Sequence, residues 1–287
     1  MKEFKDKVAI ITGAGSGIGF ALAERCTKEG MKVVLADIDE KFLKKAQRKL
    51  KRSGATFITV LTDVSKVSDI EALAKKTLET YGVVNLLVNN AGIGNSKYTW
   101  DYTLKDWEYQ LGVNLWGVIN GVRIFTPIML KQGDECHIVN ISSIEGLVSG
   151  SGPGGAVYGV SKHGVVSLSE TLRTDLKLSG EKINVSVVCP GFVNTRILLG
   201  DTHRPDKFLN PPEDVIESNR GEDYLLQFFS SIEEGFKETY LMPPNEAADI
   251  IFQGIKEEKF YIFTHKDQLM KKMVKERFDE ILKELDT

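Results

Sequence analysis

The stretch that most narrows the folds open to this chain lies near its start. Val8-Ala-Ile-Ile11 is an unbroken apolar run, followed by Thr12-Gly-Ala-Gly-Ser-Gly-Ile-Gly19 and then a helical pattern from Phe20 to Glu29. A short continuous apolar run is what a strand covered on both faces looks like, as in a parallel sheet. The glycines read Gly13-x-x-x-Gly17-x-Gly19, a departure from the G-x-G-x-x-G dinucleotide spacing. Between a strand and a helix, such glycines let the backbone approach a pyrophosphate and aim amide N–H groups and the helix N-terminus at it. Phosphate binding is the expected use; a tight turn without ligand is the alternative.

The same alternation continues along the chain. Lys32–Ala36 reads as a strand ending at Asp37, the helical stretch Glu40–Arg52 leads to strand Thr56–Leu61, and this ends at Asp63-Val64. Helix Val67–Tyr81 and strand Val84–Val88 follow, and Asn89-Asn-Ala-Gly92 closes that strand with amides and very small residues. Regular alternation without linker or repeat predicts a doubly wound parallel sheet with the strands' carboxyl ends along one edge. Asp37 stands where a ribose 2′-hydroxyl needs an acceptor. Its carboxylate would repel a 2′-phosphate, and no arginine is adjacent in sequence to the glycines or to Asp37, which favours NAD over NADP.

A long helical stretch over about 104–131 puts Asn114 on its apolar face. Either it is a satisfied core amide, or it bends the helix and holds a water. Strand Cys136–Ile141 then delivers Ser142-Ser143 to the same edge. Beyond it, Tyr158 and Lys162 stand four apart in a segment that reads as helical to about Leu178, so they share one face. A free phenol has a pKa of about 10, and a fixed ammonium beside it favours the phenolate. The pair is a candidate proton-transfer device.

Net charge of −3 and pI near 5.9 give no basic footprint for nucleic acid. Cys26, Cys136 and Cys189 are scattered without metal-type spacing, so no metal site is expected and a reduced, cytoplasmic setting fits. His137 and His163 read as structural, and Trp100, Trp107 and Trp116 as core or contact residues. The charged N-terminus does not read as a signal peptide, and no apolar stretch looks long enough to span a membrane.

Taken in order, Thr12–Gly19, Asp37, Asp63-Val64, Asn89–Gly92, Asn114, Ser143, Tyr158-x-x-x-Lys162 and Pro190-Gly-Phe-Val-Asn-Thr195 resemble the short-chain dehydrogenase/reductase family over roughly residues 5–265. The resemblance implies a Rossmann-type α/β fold with a seven-stranded parallel sheet, and a catalytic tetrad of Asn114, Ser143, Tyr158 and Lys162. It assigns Gly13, Ser16, Gly17, Ile18 and Gly19 to the pyrophosphate loop, Asp63 and Val64 to adenine, and Asn90, Ala91 and Gly92 to the ribose side. Val193 and Thr195 fall at the carboxamide, Pro190 and Gly191 are further cofactor-binding positions, and Lys162 falls at the nicotinamide ribose as well as beside Tyr158. The interval from Ser143 to Tyr158 is longer than the family's usual one and contains Gly150-Ser-Gly-Pro-Gly-Gly155.

On the substrate side, Glu145, Leu147, Tyr158 and Phe192 are expected to face the pocket with Ser143. The irregular stretch over about 194–243 reads as a lid, with Ile197, Leu198, Leu199, Phe208, Leu209, Leu225, Leu226, Phe228 and Phe229 pointing to an apolar alcohol or ketone or to a packed subdomain core. A last helix over about 267–285 carries Leu269, Met273, Ile281, Leu282 and Leu285, expected to pack on its own subunit or a neighbour. The whole is expected to be one catalytic domain, assembled as a homodimer or homotetramer. The leading function is NAD-dependent interconversion of an apolar secondary alcohol and its ketone. An NAD-binding scaffold without turnover and an epimerase or dehydratase are the alternatives.

Overall fold

A computed structural model of the chain describes residues 1–95, 97–148, 155–197, 204–211 and 241–285. Most of the expected lid, including Leu198, Leu199, Leu225, Leu226, Phe228 and Phe229, lies outside the described residues, as does 150–154 of the glycine-rich insertion. The strands are β1 Val8–Thr12, β2 Lys32–Asp37, β3 Phe57–Leu61, β4 Leu86–Asn89, β5 Cys136–Ile141, β6 Ile183–Cys189 and β7 Tyr261–Phe263. They form one sheet in the order β3-β2-β1-β4-β5-β6-β7, parallel throughout. This is the doubly wound seven-stranded α/β sheet expected, and its order reverses between β1 and β4, where such sheets open a crevice at the strands' carboxyl ends.

Burial follows the period of two that a covered sheet imposes. Val8 and Ile10 face one core and Ala9 and Ile11 the other, all at 1% exposure or less. Helices α1 Gly17–Lys28, α2 Glu40–Arg52 and α7 Pro244–Lys256 cover the second face. Helices α3 Val67–Tyr81, α4 Leu104–Leu111, α5 Gly117–Gln132 and α6 Ala156–Leu178 cover the first. Asp39 caps α2 by accepting from the N–H groups of Lys41 and Phe42 at 2.7 and 3.1 Å. Thr103 and Asp106 form a reciprocal capping box at the start of α4. Helices α3 and α5 stop at Gly82 and Gly133, whose φ of 76° and 68° no β-carbon-bearing residue adopts cheaply.

Leu104–Gln132 runs as 29 helical residues with a π turn at Gly112–Trp116, and it corrects one expectation. Its mean hydropathy of 1.3 and its length would suffice to cross a membrane, but half of the apolar window is buried within the fold. The stretch serves as a core helix. The final helix α8, Gln268–Leu285, buries Met270 and leaves Ile281, Leu282 and Leu285 exposed. Trp100 and Trp116 are also exposed, so neither is a core residue.

Candidate active site

Gly13 and Gly17 adopt φ of 64° and 53°, and both keep surface open at the loop after β1. A β-carbon on Gly13 would stand 2.9 Å from the Ala91 Cα, and one on Gly19 only 2.3 Å from the Gly13 carbonyl. Gly19 therefore lets α1 close onto the loop, while Gly13, Ser16, Gly17 and Ile18 line its open side. Thr12, not anticipated from the sequence, ties this loop to the end of β4. Its hydroxyl accepts from the N–H groups of Asn90 and Ala91 at 2.9 and 3.1 Å and donates to the Val88 carbonyl at 3.4 Å. Asn90 spends its side-chain amide on the carbonyls of Thr12 and Gly13 at 2.8 and 3.3 Å, so it builds the loop.

Asp37 Oδ2 accepts from the Gly15 N–H at 2.8 Å and Oδ1 from the Asp39 N–H at 2.9 Å, which locks the carboxylate against the glycine loop. The sequence places no arginine next to these residues, but folding brings one there. Arg196 lines a cavity of about 340 Å³ with Gly15, Ser16, Gly17 and Lys45, its guanidinium 4.8 Å over the Phe42 ring. Asp63 is buried at the end of β3. Its Oδ1 accepts from the Ser65 N–H and hydroxyl at 3.0 and 2.6 Å. Its Oδ2 has no hydrogen-bond partner among the described residues, the Lys66 and Lys207 ammonium groups standing off at 3.6 and 3.7 Å.

The four tetrad residues come together from three elements. Ser143 follows β5 and caps a short 3-10 turn, accepting from the Glu145 N–H at 3.2 Å. Tyr158 and Lys162 stand one turn apart on α6, with the Lys162 Nζ 5.5 Å from the Tyr158 ring centroid. Lys162 is 2% exposed and donates to the Ile141 carbonyl at 3.0 Å. Asn114 sits in the π turn, accepts from the Ile93 N–H, and donates to the Ile93 carbonyl and the Ser161 hydroxyl at 2.9 and 3.2 Å. Both alternatives raised by the sequence hold in part: the amide is satisfied by protein and the helix is distorted there. Gly92 lies between them, since a β-carbon on it would be 3.5 Å from both the Asn114 Oδ1 and the Lys162 Nζ.

The electrostatics reverse the simple expectation for the pair. Burial pushes the Tyr158 phenol up to about 12, against a lowering by its hydrogen bond to Ser143, and the Glu145 carboxylate adds to the rise. Burial likewise brings the Lys162 ammonium down to about 8. Desolvation is the largest cause of the shift in both groups. The phenol of the protein alone is thus protonated at neutral pH.

Pro190 accepts from the Ile144 N–H at 2.9 Å, joining the chain after β6 to the Ser143 turn. Gly191 donates to the Thr264 hydroxyl at 3.2 Å, Val193 bridges Met242, and the Thr195 methyl would meet a β-carbon on Gly17 at 3.2 Å. On the substrate side, Glu145 is near enough to act on Tyr158, and Phe192 packs with Ile144, Val148 and Met270. Leu147 departs from expectation. It is 8% exposed and packed in the main core, the place an apolar side chain at this turn reaches by facing the helices. His137 is buried against the Ser186 hydroxyl at 2.7 Å and pushed down to about 3 by burial, a structural role as expected. Among the described residues no cluster of His, Cys, Asp or Glu could hold a metal ion.

Comparison with known proteins agrees with this geometry. A family model described as short chain dehydrogenase matches residues 7–204. The CLA biosynthesis dehydrogenase/reductase of Lactiplantibacillus plantarum is 35% identical over 267 residues, 92% of this chain and 90% of that protein. The 1-deoxy-11-beta-hydroxypentalenate dehydrogenase of Streptomyces exfoliatus is 27% identical over 281 residues, 97% of this chain and 90% of its own. A crystal structure of a short chain dehydrogenase/reductase from Burkholderia phymatum in complex with NAD superposes with a TM-score of 0.89 at 40% identity, covering 99% of this chain and 97% of the other. The glycine loop, the crevice at the sheet's order reversal and these matches together identify the chain as a member of the short-chain dehydrogenase/reductase family, an oxidoreductase built to bind a nicotinamide cofactor.

Proposed function

We propose that the protein is an NAD(H)-dependent dehydrogenase/reductase that interconverts an apolar secondary alcohol and its ketone. The observation that carries this reading is the convergence of Tyr158, bonded to Ser143, with Lys162 and Asn114 around Gly92. The crevice fits a dinucleotide on two counts. Gly13 and Gly17 hold left-handed backbone where amides must turn toward a pyrophosphate, and buried Asp63 Oδ2 offers an acceptor suited to an adenine amino group. Asp37 would take the adenosine ribose, favouring NAD, and Gly92 leaves room for a flat ring beside Lys162. Lys162 keeps donors beyond the one spent on Ile141, and these suit ribose hydroxyls.

When bound, the cofactor supplies the acceptor or donor of hydride and, in its oxidised form, a positive charge. Ser143 would hydrogen-bond the substrate oxygen, and Tyr158 would transfer its proton to or from that oxygen. A phenol pushed up to about 12 holds the proton that ketone reduction consumes. Oxidation needs Tyr158 to lose it, which a cation in the crevice favours. Asn114 ties the Ile93 backbone to α6 and so keeps Gly92 beside Lys162. The half-buried Phe192 beside the Ser143 turn supports an apolar substrate, and the three buried free cysteines support a cytoplasmic setting. The test is turnover of a panel of secondary alcohols with NAD and with NADP. Faster turnover of apolar alcohols, with preference for NAD, is expected. Preference for NADP would transfer the weight from Asp37 to Arg196, and turnover confined to charged substrates would overturn the apolar assignment.

A further inference from the structure

The turn that carries Ser143 is held at both ends, and the second hold comes from the far end of the chain. At its start, Ser143 is anchored by β5 and by the Ile144 N–H, which donates to the Pro190 carbonyl at 2.9 Å. The turn then closes on itself, with Gly146 donating to the Ser143 carbonyl and Leu147 and Val148 to the Ile144 carbonyl at 3.0, 2.8 and 3.1 Å. That leaves the Leu147 carbonyl without a partner inside the turn. Arg277 on α8 fills the place: its Nη1 donates to the Leu147 carbonyl at 2.6 Å, across 130 residues of sequence. Two turns earlier on the same face, Met270 of that helix is 5% exposed and packs on Ile144 and Val148. A short turn bearing few hydrogen bonds is a low-stability element unless another element pins it.

We infer that Arg277 is a positioning residue for the reaction: through the Leu147 carbonyl it fixes the Ile144–Val148 turn, and thereby the Ser143 hydroxyl against Tyr158. The inference rests on the oxidoreductase reading above. Its mechanism is geometric, because a catalytic donor misplaced by about 1 Å can cost on the order of 100-fold in rate. It also has a titration consequence. The Ser143 hydrogen bond lowers the Tyr158 phenol, so a looser turn raises it further.

The test compares the unsubstituted protein with Arg277→Met, Arg277→Lys and Ser143→Ala. Hydrogen exchange over residues 144–148 reads the brace without any activity. Steady-state kinetics across pH, with NAD and one substrate that the unsubstituted protein turns over, read the positioning. Arg277→Met is expected to exchange these amides about tenfold faster and to lower kcat about tenfold, with the KM for NAD unchanged. Its basic pH limb should shift upward, in the direction that Ser143→Ala shifts it, and Arg277→Lys should recover part of the loss. Unchanged exchange in Arg277→Met would overturn the brace. Faster exchange with kcat and pH profile unchanged would overturn the positioning role. If Arg277→Met unfolds, Arg277→Leu takes its place and is read by the same two outcomes, parental exchange overturning the brace and parental kinetics the positioning role. Absence of turnover in the unsubstituted protein would instead defeat the oxidoreductase reading itself.

Discussion

A buried ammonium costs the fold stability wherever it is charged, and Lys162, bonded to the Ile141 carbonyl, is such a group. Its folded pKa of about 8 lies below the ordinary 10.5. The unfolded chain therefore binds the proton more tightly, and this contribution to stability increases as pH rises from about 8 to 10.5. Tyr158 behaves in the opposite sense. With a folded value near 12 against an ordinary 10, its contribution is complete below 10 and is lost as pH rises toward 12. Lys162→Met should thus abolish turnover yet raise stability at pH 7 by about 1–3 kcal/mol, the gain shrinking above pH 8. Denaturant unfolding at a series of pH values checks this, and a variant less stable than the parent at pH 7 contradicts it. The sequence disclosed that Tyr158 and Lys162 share a face because i and i+4 spacing is a backbone property. It did not disclose which influence wins, since that depends on how deep the pair lies once β5, α6 and the Ser143 turn close around it.

Elements read well where their signal is local. The glycine loop, the end of α6 at Leu178 and the Asp39 cap all rest on residues within a few positions of one another. Strand β6 does not, because Asn184 and Ser186 interrupt its apolar run. Ser186 is buried only because His137 on β5 and the Lys259 carbonyl lie beside it at 2.7 and 2.6 Å. Asp106 is a similar case. It is buried at the start of α4, where Lys97 and Arg204 pair with it at 2.6 and 2.7 Å and Asn210 donates to it at 3.2 Å. This cluster fastens residues 204–211, one described part of the expected lid, to α4 and brings Lys207 toward Asp63. Burial raises the Asp106 carboxyl, but the hydrogen bonds from Lys97, Arg204, Asn210 and the Thr103 N–H together hold it at about 2. Its stabilisation is present above the ordinary 3.8 and is lost as pH falls toward 2. Asp106→Ala, which takes the carboxylate away from Lys97 and Arg204, should cost about 3–5 kcal/mol in denaturant unfolding at neutral pH. A cost below about 1 kcal/mol would show the cluster to be no more than a surface ion pair.

At the scale of the molecule, members of this family usually oligomerise, and the surface offers a place for it. Leu104, Trp116 and Val160 are 74%, 56% and 51% exposed on the two long helical stretches Leu104–Gln132 and Ala156–Leu178. Trp116→Glu with Val160→Glu should shift sedimentation toward monomer while leaving thermal unfolding of the subunit cooperative; an unchanged sedimentation coefficient would place the interface elsewhere. The order of the motifs was legible throughout, because most mark a strand's carboxyl end, which the sheet brings to one edge, and Asn114 and Tyr158-x-x-x-Lys162 stand on the helices beside it. Arg196 beside the glycines and Arg277 beside Leu147 were not, for only the closed fold brings them there. The proposed reaction depends on a phenol that moves a proton next to a bound nicotinamide. The most direct measurement is NADH formation from an apolar secondary alcohol by the unsubstituted protein and by Tyr158→Phe, with NAD affinity determined for both. Tyr158→Phe is expected to lower kcat about 100-fold or more at unchanged NAD affinity; equal rates in the two proteins would remove Tyr158 from the proton transfer.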